Sequence, residues 1–190
     1  MPRLRDILTP NPRVLIVGIN PSLRSHQLGH HFAGPGNPFW RLMYAARIVP
    51  RELTYLDDHS LANYRLALTN LCPRPTRSAS ELSRDEIERG KLTVLRKIAR
   101  WQPAVVALVG ASMYRYFNPN RTIGGVGPKA ETIRGARVFV LPNPSGLNAN
   151  FPGFRDKLVW FEKLRDFAEL GSAATEFDGP GSTRRGEGGA

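Results

Sequence analysis

The sequence has little cysteine and no long hydrophobic run, and both shortages limit what the protein can be. Its 190 residues include one cysteine, Cys72, which excludes an internal disulfide and a zinc site built on cysteines. A membrane-spanning helix needs about 18 consecutive apolar residues, and the chain has no such stretch. The first residues, MPRLRDILTPNP, lack the apolar core of a secretion signal. We therefore expect a cytoplasmic protein with no membrane partner.

The usual marks of a cofactor are also absent. The four histidines are few, and His30 and His31 are adjacent rather than one helical turn apart, so their spacing does not favour a metal site. The segment VGINPS fits neither the G-x-x-x-x-G-K-[ST] loop nor the G-x-G-x-x-G fingerprint that hold nucleotide phosphates. We expect neither a metal nor an organic cofactor.

Positive charge is what the sequence has in excess. The formal net charge is +11, and residues 171–190 contribute three acids against two arginines, so the remaining chain carries +12. Such an excess favours a polyanionic partner, with nucleic acid first among them. The alternative is an arginine-rich proteome with solvated charges. The arginine and alanine content suggests a bacterial protein, which would place it in the nucleoid.

Short apolar runs alternate with helical patterns along the chain. The predicted strands are residues 14–19, 65–71, 105–110 and 137–141. Four helices are predicted. Two begin at Asn37-Pro38 and at Ala111, and the other two cover 83–101 and 154–170. The 83–101 helix opens with an S-x-x-E capping box. This alternation predicts an α/β fold of three α/β/α layers with a central four-stranded, mainly parallel sheet.

Two further segments complete this prediction. Residues 118–136 are rich in glycine and proline and are predicted to form a loop. Residues 171–190 are predicted to be a disordered tail, which leaves 1–170 as a single domain. Gly90 weakens the 83–101 helix without breaking it.

Polar residues follow the predicted strands at one edge of the sheet. In parallel sheets the carboxyl ends of the strands meet, and ligands bind there, so Asn20, Asn70, Gly110 and Asn143 should converge. Asn20 and Asn143 each precede a proline, which forces extended backbone and aims the side chain. The alternative is an asparagine that only hydrogen-bonds its own turn, and the chain has five Asn-Pro pairs.

Two loops carry further candidate residues. In GHHFAGPGNPFW, Phe32 either stacks on a planar ligand or belongs to the core. His31 beside it either donates to a ligand or lies at the loop surface. In PNPSGLNANF, Leu147 at the tip is either a wedge for a base stack or folds back onto the core. Gly146 favours a tight turn whose N–H groups could meet phosphates.

Four motifs together resemble one protein family. GINPSL, HHFAGPGNPFW, TNLCPRPT and LPNPSGL stand in the order found in the mismatch-specific uracil-DNA glycosylases, the thymine-DNA glycosylase family. The similarity extends from about Asp6 to Leu170. One departure is Ser22, where the family usually has glycine. The resemblance implies a monofunctional glycosylase of base-excision repair that acts on mismatched double-stranded DNA as a monomer, without a cofactor.

The resemblance also implies the chemistry and the residues. The enzyme would flip uracil, or thymine or a damaged pyrimidine, out of a mismatch such as G·U and hydrolyse the N-glycosidic bond to leave an abasic site. Asn20 would be catalytic and hold the attacking water. The implied base pocket is Gly18, Ile19, Pro21, Ser25, His31, Phe32 and Asn70. The implied DNA contacts are Ser112, Asn143, Pro144, Ser145, Gly146, Leu147 and Asn148, with Leu147 as the wedge and Ser112 in place of a basic residue found in relatives.

Two other interpretations compete with this one. A non-catalytic DNA-binding module could keep the glycosylase fold. An unrelated α/β enzyme for nucleotides or phosphates would share the alternation of strands and helices, although the missing phosphate loop counts against it.

Overall fold

One twisted sheet organises the protein. The computed structural model describes residues 4–118, 125–145 and 149–170. Within them, five strands form a sheet of order β2-β1-β3-β5-β4, in which β4 runs antiparallel to β5 and the other pairs are parallel. The strands are Val14–Gly18 (β1), Leu66–Asn70 (β2), Val105–Val109 (β3), Gly127–Ile133 (β4) and Ala136–Leu141 (β5).

Helices cover both faces of this sheet. The α-helices are Leu23–Leu28 (α1), Phe39–Ala45 (α2), Arg84–Trp101 (α3), Met113–Phe117 (α4) and Phe154–Phe167 (α5). Two 3₁₀ helices, Tyr55–Tyr64 and Ala79–Glu81, precede β2 and α3. Ser83 and Glu86 form the predicted capping box of α3. The sequence pattern did not reveal α1 or either 3₁₀ helix, and α5 ends three residues before the predicted boundary.

Alternation along β1 divides the core into two parts. Val14 and Ile16 pack on one face with α2, α5 and the longer 3₁₀ helix. Leu15 and Val17 pack on the other face with α3 and α4. A strand buried on both faces reads as a continuous apolar run because it has no solvent side. The predicted three-layer α/β/α architecture is thus confirmed.

The predicted number of strands was wrong, since β4 lies inside the segment expected to be a loop. Between its buried ends, Gly127 and Ile133, the residues alternate between exposed and partly buried positions at the edge of the sheet, and few of them are apolar. Pro128 is tolerated because an edge strand does not need every backbone N–H. A register irregularity between Lys129 and Thr132 interrupts the pairing with β5. An edge strand of this kind lacks the apolar signal by which the other four strands were found.

The strand order places the carboxyl ends of β2, β1 and β3 side by side. The segments that follow β1 and β2 remain paired, because Leu71 N donates to Gly18 O at 2.7 Å and Cys72 N donates to Ile19 O at 2.8 Å. The strand that follows β1 in sequence, β2, lies on one side of it, whereas the next strand, β3, lies on the other side. Binding crevices of α/β sheets form where the strand order reverses in this way.

Gly90 fixes how closely α3 approaches this edge. A Cβ added to Gly90 would collide with the backbone carbonyl of Leu71, coming within 2.9 Å of its carbon. Real Cβ atoms do not approach so closely, so the helix would have to move away from the end of β2. The glycine that weakens the helix by its intrinsic propensity is therefore required by the packing.

We predict that Gly90→Ala destabilises the protein. An ordinary helix interior gains about 1 kcal/mol from this change, but overpacking here should lower the free energy of unfolding by about 1–3 kcal/mol. Urea unfolding would measure it. Leu92→Ala, at an exposed position of the same helix, is the control and should change stability by less than about 1 kcal/mol. A stabilised Gly90→Ala variant would contradict the packing argument.

Candidate active site

A cavity of about 350 Å³ opens at the carboxyl edge of the sheet. Its walls come from the loop after β1, the glycine-rich loop before α2, and the ends of β2, β3 and β5. The predicted site residues that line it are Gly18, Ile19, Asn20, Pro21, Ser25, His31, Phe32, Asn70, Asn143 and Ser145. The fold therefore brings together three asparagines that lie far apart in the sequence.

Other predicted residues lie elsewhere. Pro144 is buried outside the cavity lining, and Ser112 lies at the start of α4, where its side chain caps no helix N–H. At the end of β3 it is Val109, rather than the predicted Gly110, that lines the cavity. Gly146, Leu147 and Asn148 lie outside the described residues, as do residues 171–190.

The amide of Asn20 is held by its nitrogen. Nδ2 donates to the hydroxyl of Thr76 at 2.7 Å and to the backbone carbonyl of Arg74 at 3.0 Å. A carbonyl can only accept, so the NH₂ group must face Arg74. Thr76 in turn donates its hydroxyl proton to Ser78 O at 2.8 Å and therefore accepts from Asn20. This chain of donors fixes the orientation of the amide.

Oδ1 of Asn20 is left as an open acceptor. No donor within the described ranges contacts it, and Asn20 lines the cavity. The side chain thus presents a carbonyl oxygen of fixed direction at the end of a buried strand. Such a group can accept a hydrogen bond from a water molecule or a substrate N–H or O–H.

An ion pair supports the loop that holds this amide. Arg74 makes a bidentate contact with the Glu86 carboxylate, at 2.6 Å from Nε to Oε1 and 3.0 Å from Nη2 to Oε2. Arg74 Nη2 also donates to Glu81 O at 2.7 Å. The contact with Arg74, followed by the N–H of Ser83, lowers the pKa of Glu86 to about 2. Glu86 therefore stays ionised and keeps Arg74 in place at any physiological pH.

Ser22, at the position where the family usually has glycine, hydrogen-bonds Ser25 rather than Asn20. Its hydroxyl accepts from Ser25 N at 3.1 Å and donates to Ser25 Oγ at 3.0 Å, which caps α1. Ser25 Oγ also accepts from Ala33 N at 3.1 Å. The hydrogen bonds of Ser22 and Ser25 connect the Asn-Pro turn to the glycine-rich loop, so Ser22 has a structural role.

The ring of Phe32 packs against another aromatic ring. Its ring stacks on the buried ring of Phe39, with a centroid separation of 3.8 Å and an interplanar angle of 14°. The backbone of Phe32 has φ of 51°, a left-handed conformation that costs free energy for a residue with a large side chain. The cavity meets the part of the ring that Phe39 leaves uncovered. That surface is suited to a planar ligand.

His31 is buried, so the expectation that it lies at the loop surface is wrong. Its Nε2 lies 2.9 Å from the carbonyl of Arg5, which can only accept, so Nε2 carries the proton. Burial lowers the pKa of the imidazole, which is then neutral at pH 7. Its Nδ1 is left as an acceptor, so the other alternative, a ring that donates to a ligand, is wrong as well.

Asn70 lines the cavity beside Gly18, its partner on the neighbouring strand β1. A Cβ on Gly18 would lie 2.6 Å from Asn70 Oδ1 and 3.9 Å from Phe32 Cζ. Within the part of the chain that the structure describes, nothing hydrogen-bonds the side-chain amide of Asn70. An unpartnered amide beside an aromatic ring offers one donor and one acceptor to the edge of a planar ligand.

Most of the chain matches a known protein family. The profile of the Uracil DNA glycosylase superfamily matches residues 6–165, most of the chain and all of the strands and loops that build the cavity. The chain belongs to the uracil DNA glycosylase superfamily. It is accordingly a DNA glycosylase, an enzyme that hydrolyses the bond between a base and its deoxyribose. The predicted enzyme class is confirmed at this level.

A solved structure agrees with the fold of this glycosylase. It is the solution NMR structure of a Methanosarcina acetivorans protein described as a candidate uracil DNA glycosylase. The similarity has a TM-score of 0.58 at 21% sequence identity and covers 86% of this chain and 97% of the other. At that identity the likeness shows a shared fold.

The described part of this glycosylase has no cluster of metal-ligating side chains and no activated thiol. No group of three His, Cys, Asp or Glu side chains there could hold a metal ion. Burial, with the nearby Glu86 adding to it, raises the pKa of Cys72 to about 11, so the thiol is a poor nucleophile at neutral pH. None of the helices in the described ranges is long and apolar enough to cross a membrane.

Sequence reasoning missed several residues that shape the glycosylase site. Thr76 and Arg74 stand inside the quoted TNLCPRPT motif, so that motif could have pointed to them. Asp58 gave no such signal, although its buried carboxylate accepts from His31 N at 2.9 Å and contacts His30 Nδ1 at 3.1 Å. The carbonyl of Arg5 could not be found from residue type, because every residue has one.

We predict that Gly18→Ala impairs the site without unfolding the protein. The new methyl group would displace the Asn70 amide, because 2.6 Å is too short for a contact between carbon and oxygen. Displacing a side chain that lines an active-site cavity by about 1 Å can cost up to 10²-fold in rate, so we expect single-turnover cleavage of a uracil-containing duplex to fall about 10- to 100-fold.

Gly34→Ala is the matched control. Gly34 also lines the cavity, but its added Cβ would meet only Asn37 Cβ, at an ordinary 3.9 Å. That variant should cleave at nearly the wild-type rate. Equal losses in the two variants, or none in Gly18→Ala, would show that the close contact with Asn70 does not matter.

Proposed function

We propose that this glycosylase excises uracil from mismatched double-stranded DNA, G·U above all, as a mismatch-specific member of the superfamily. The observation that carries the proposal is the Asn20 amide, held by Arg74 and Thr76 with Oδ1 left open. No carboxylate lines the cavity at all among the described residues. An enzyme with a neutral amide in this place depends on a leaving group that departs readily as an anion, and uracil is such a group.

The reaction then needs little acid or base help. The flipped nucleotide enters the cavity with its C1′ near Asn20, whose Oδ1 accepts a hydrogen bond from a water molecule. As the C1′–N1 bond breaks, its electron pair leaves with uracil, and the water oxygen bonds to C1′ and releases a proton to solvent. The uracil anion takes up a proton from solvent. The products are an abasic site and free uracil. Positioning of the water supplies most of the catalysis, because an amide is a weak base.

Base recognition fits the remaining wall of the cavity. Phe32, supported by Phe39, stacks on the pyrimidine. The free amide of Asn70 accepts from N3–H and donates to O4, a pattern that uracil and thymine share and cytosine lacks. Gly18 permits this approach, since any side chain there would fill the space of the Asn70 amide. The protein acts as a monomer on DNA and leaves the opposite strand intact.

We predict that Asn20→Ala removes catalysis and spares binding. Without Oδ1 no group holds the water, and cleavage of a G·U duplex under single-turnover conditions should slow by about 10²–10⁴-fold. Thr76→Val keeps the shape of the side chain but removes the acceptor for Asn20 Nδ2, so its loss should be smaller.

Affinity for the same duplex is the control, and it should stay within a few fold in both variants. Asn20→Asp adds a test of the anchoring geometry. Its carboxylate cannot donate to the Arg74 carbonyl or to Thr76, so we expect it to be slow despite its stronger acceptor. Near-normal turnover by Asn20→Ala would remove Asn20 from the mechanism.

Leu147, outside the described residues, is proposed as the wedge that fills the space of the flipped base. Opening a base pair costs a few kcal/mol of stacking and pairing, and an inserted apolar side chain recovers part of this cost. A weaker pair needs the wedge less. Leu147→Ala should therefore reduce cleavage more for A·U than for G·U and hardly at all in single strands. Comparable losses on all three substrates would assign Leu147 to the fold instead.

A further inference from the structure

A second groove lies next to the active-site cavity and is larger than it. Its volume is about 740 Å³, against about 350 Å³ for the cavity. It lies between the amino-terminal segment, the loop after β2 and one face of α3. Leu4, Pro21 and Asn70 line both spaces. The two spaces therefore adjoin, with Leu4, Pro21 and Asn70 at their shared boundary.

Four basic side chains line this groove, and two of them are neutralised. Lys97 Nζ contacts Asp6 Oδ2 at 2.6 Å and also donates to the hydroxyl of Thr69 at 2.8 Å. The guanidinium of Arg74 is paired with Glu86, as described above. Asp6 and Glu86 are the acidic residues of the lining, and both are thus compensated.

The positive charges of the other two, Arg5 and Arg89, are not paired with an acidic side chain. Both side chains are exposed, and neither has a carboxylate within ion-pair distance among the residues that the structure describes. Arg89 lies on the exposed face of α3, one turn from Thr93, which is also exposed and lines the groove. Two guanidinium groups without an acidic partner, in a groove with no net negative charge, match a chain of phosphates.

We propose that this groove binds the backbone of the damaged DNA strand on one side of the flipped nucleotide, with Arg5 and Arg89 each contacting a phosphate. The proposal rests on the proposed function, because it takes the cavity as the place of the flipped base. The strand that delivers the base must continue in both directions from Asn20 and Asn70. The groove adjoins the cavity at Asn70, and its unpaired charges have the sign that DNA requires.

The first test measures salt dependence of binding. The probe is a duplex with one G·U pair in which the uridine carries 2′-fluorine, which slows cleavage during the measurement. Each phosphate contact contributes about 0.9 to the slope of log K against log salt. Arg89→Gln should reduce the slope by about 0.9, and Arg5→Gln with Arg89→Gln by about 1.8. The control is Arg96→Gln on the same helix, an exposed arginine that does not line the groove; it should leave the slope unchanged.

The second test identifies the bound stretch of strand. The uracil strand is shortened on one side of the uracil and then on the other, and the affinity of each duplex is compared with that of the full-length one. Shortening the side that lies in the groove should weaken wild-type binding, and Arg89→Gln should be nearly insensitive to it. Both proteins should respond alike to shortening the opposite side.

Several outcomes would overturn the proposal. One is a wild-type slope in the double variant. A second is Arg89→Gln responding to both truncations as the wild type does. A third is weaker binding of dUMP by Arg89→Gln with an unchanged slope for the duplex, which would make the groove a mononucleotide site. The proposed function fails separately, if the wild type does not cleave the unmodified G·U duplex although the slopes change as expected.

Discussion

The site depends on the two hydrogen bonds that hold the nitrogen of the Asn20 amide. An amide on its own can rotate and present either end, and only one end can orient a water through its lone pairs. The backbone carbonyl of Arg74 and the hydroxyl of Thr76 remove that choice. Both belong to the loop after β2. The loop after β2 therefore orients Asn20, the proposed catalytic residue, which follows β1. The pairing of β1 with β2 beyond their last residues brings the two within reach.

Supporting contacts extend from this point in two directions. Toward α3, Arg74 is held by Glu86 at the helix N-terminus, and Gly90 allows that helix to lie against the end of β2. Toward the amino terminus, Ile7 pairs with Leu68 through two backbone hydrogen bonds of 2.9 and 2.7 Å. This pairing brings the Arg5 carbonyl to His31, and burial then keeps the imidazole neutral. Segments far apart in the sequence thus fix one polar cavity.

Much of this could be predicted from the sequence, and the reason is chemical. A strand buried on both faces must be apolar throughout, so β1, β2, β3 and β5 were recognisable, and Ser83 with Glu86 marked the start of α3. Parallel strands then required Asn20, Asn70 and Asn143 to meet at one edge. The edge strand β4 and the Arg5 carbonyl gave no signal, because their roles depend on partners distant in sequence and on backbone groups that every residue has.

The net charge of the chain is a sum over all its ionised side chains and carries no information on their positions. The excess of basic residues predicted a polyanion but not the place where it binds. The proposed place follows from the ion pairs, because Asp6 pairs with Lys97 and Glu86 pairs with Arg74. What remains free on the groove side of the cavity is Arg5 and Arg89. A guanidinium group that is held by a carboxylate serves the architecture of the site, and one that is not held remains available to a phosphate. The division between the two kinds of arginine follows from the fold, which alone determines which carboxylates lie within reach.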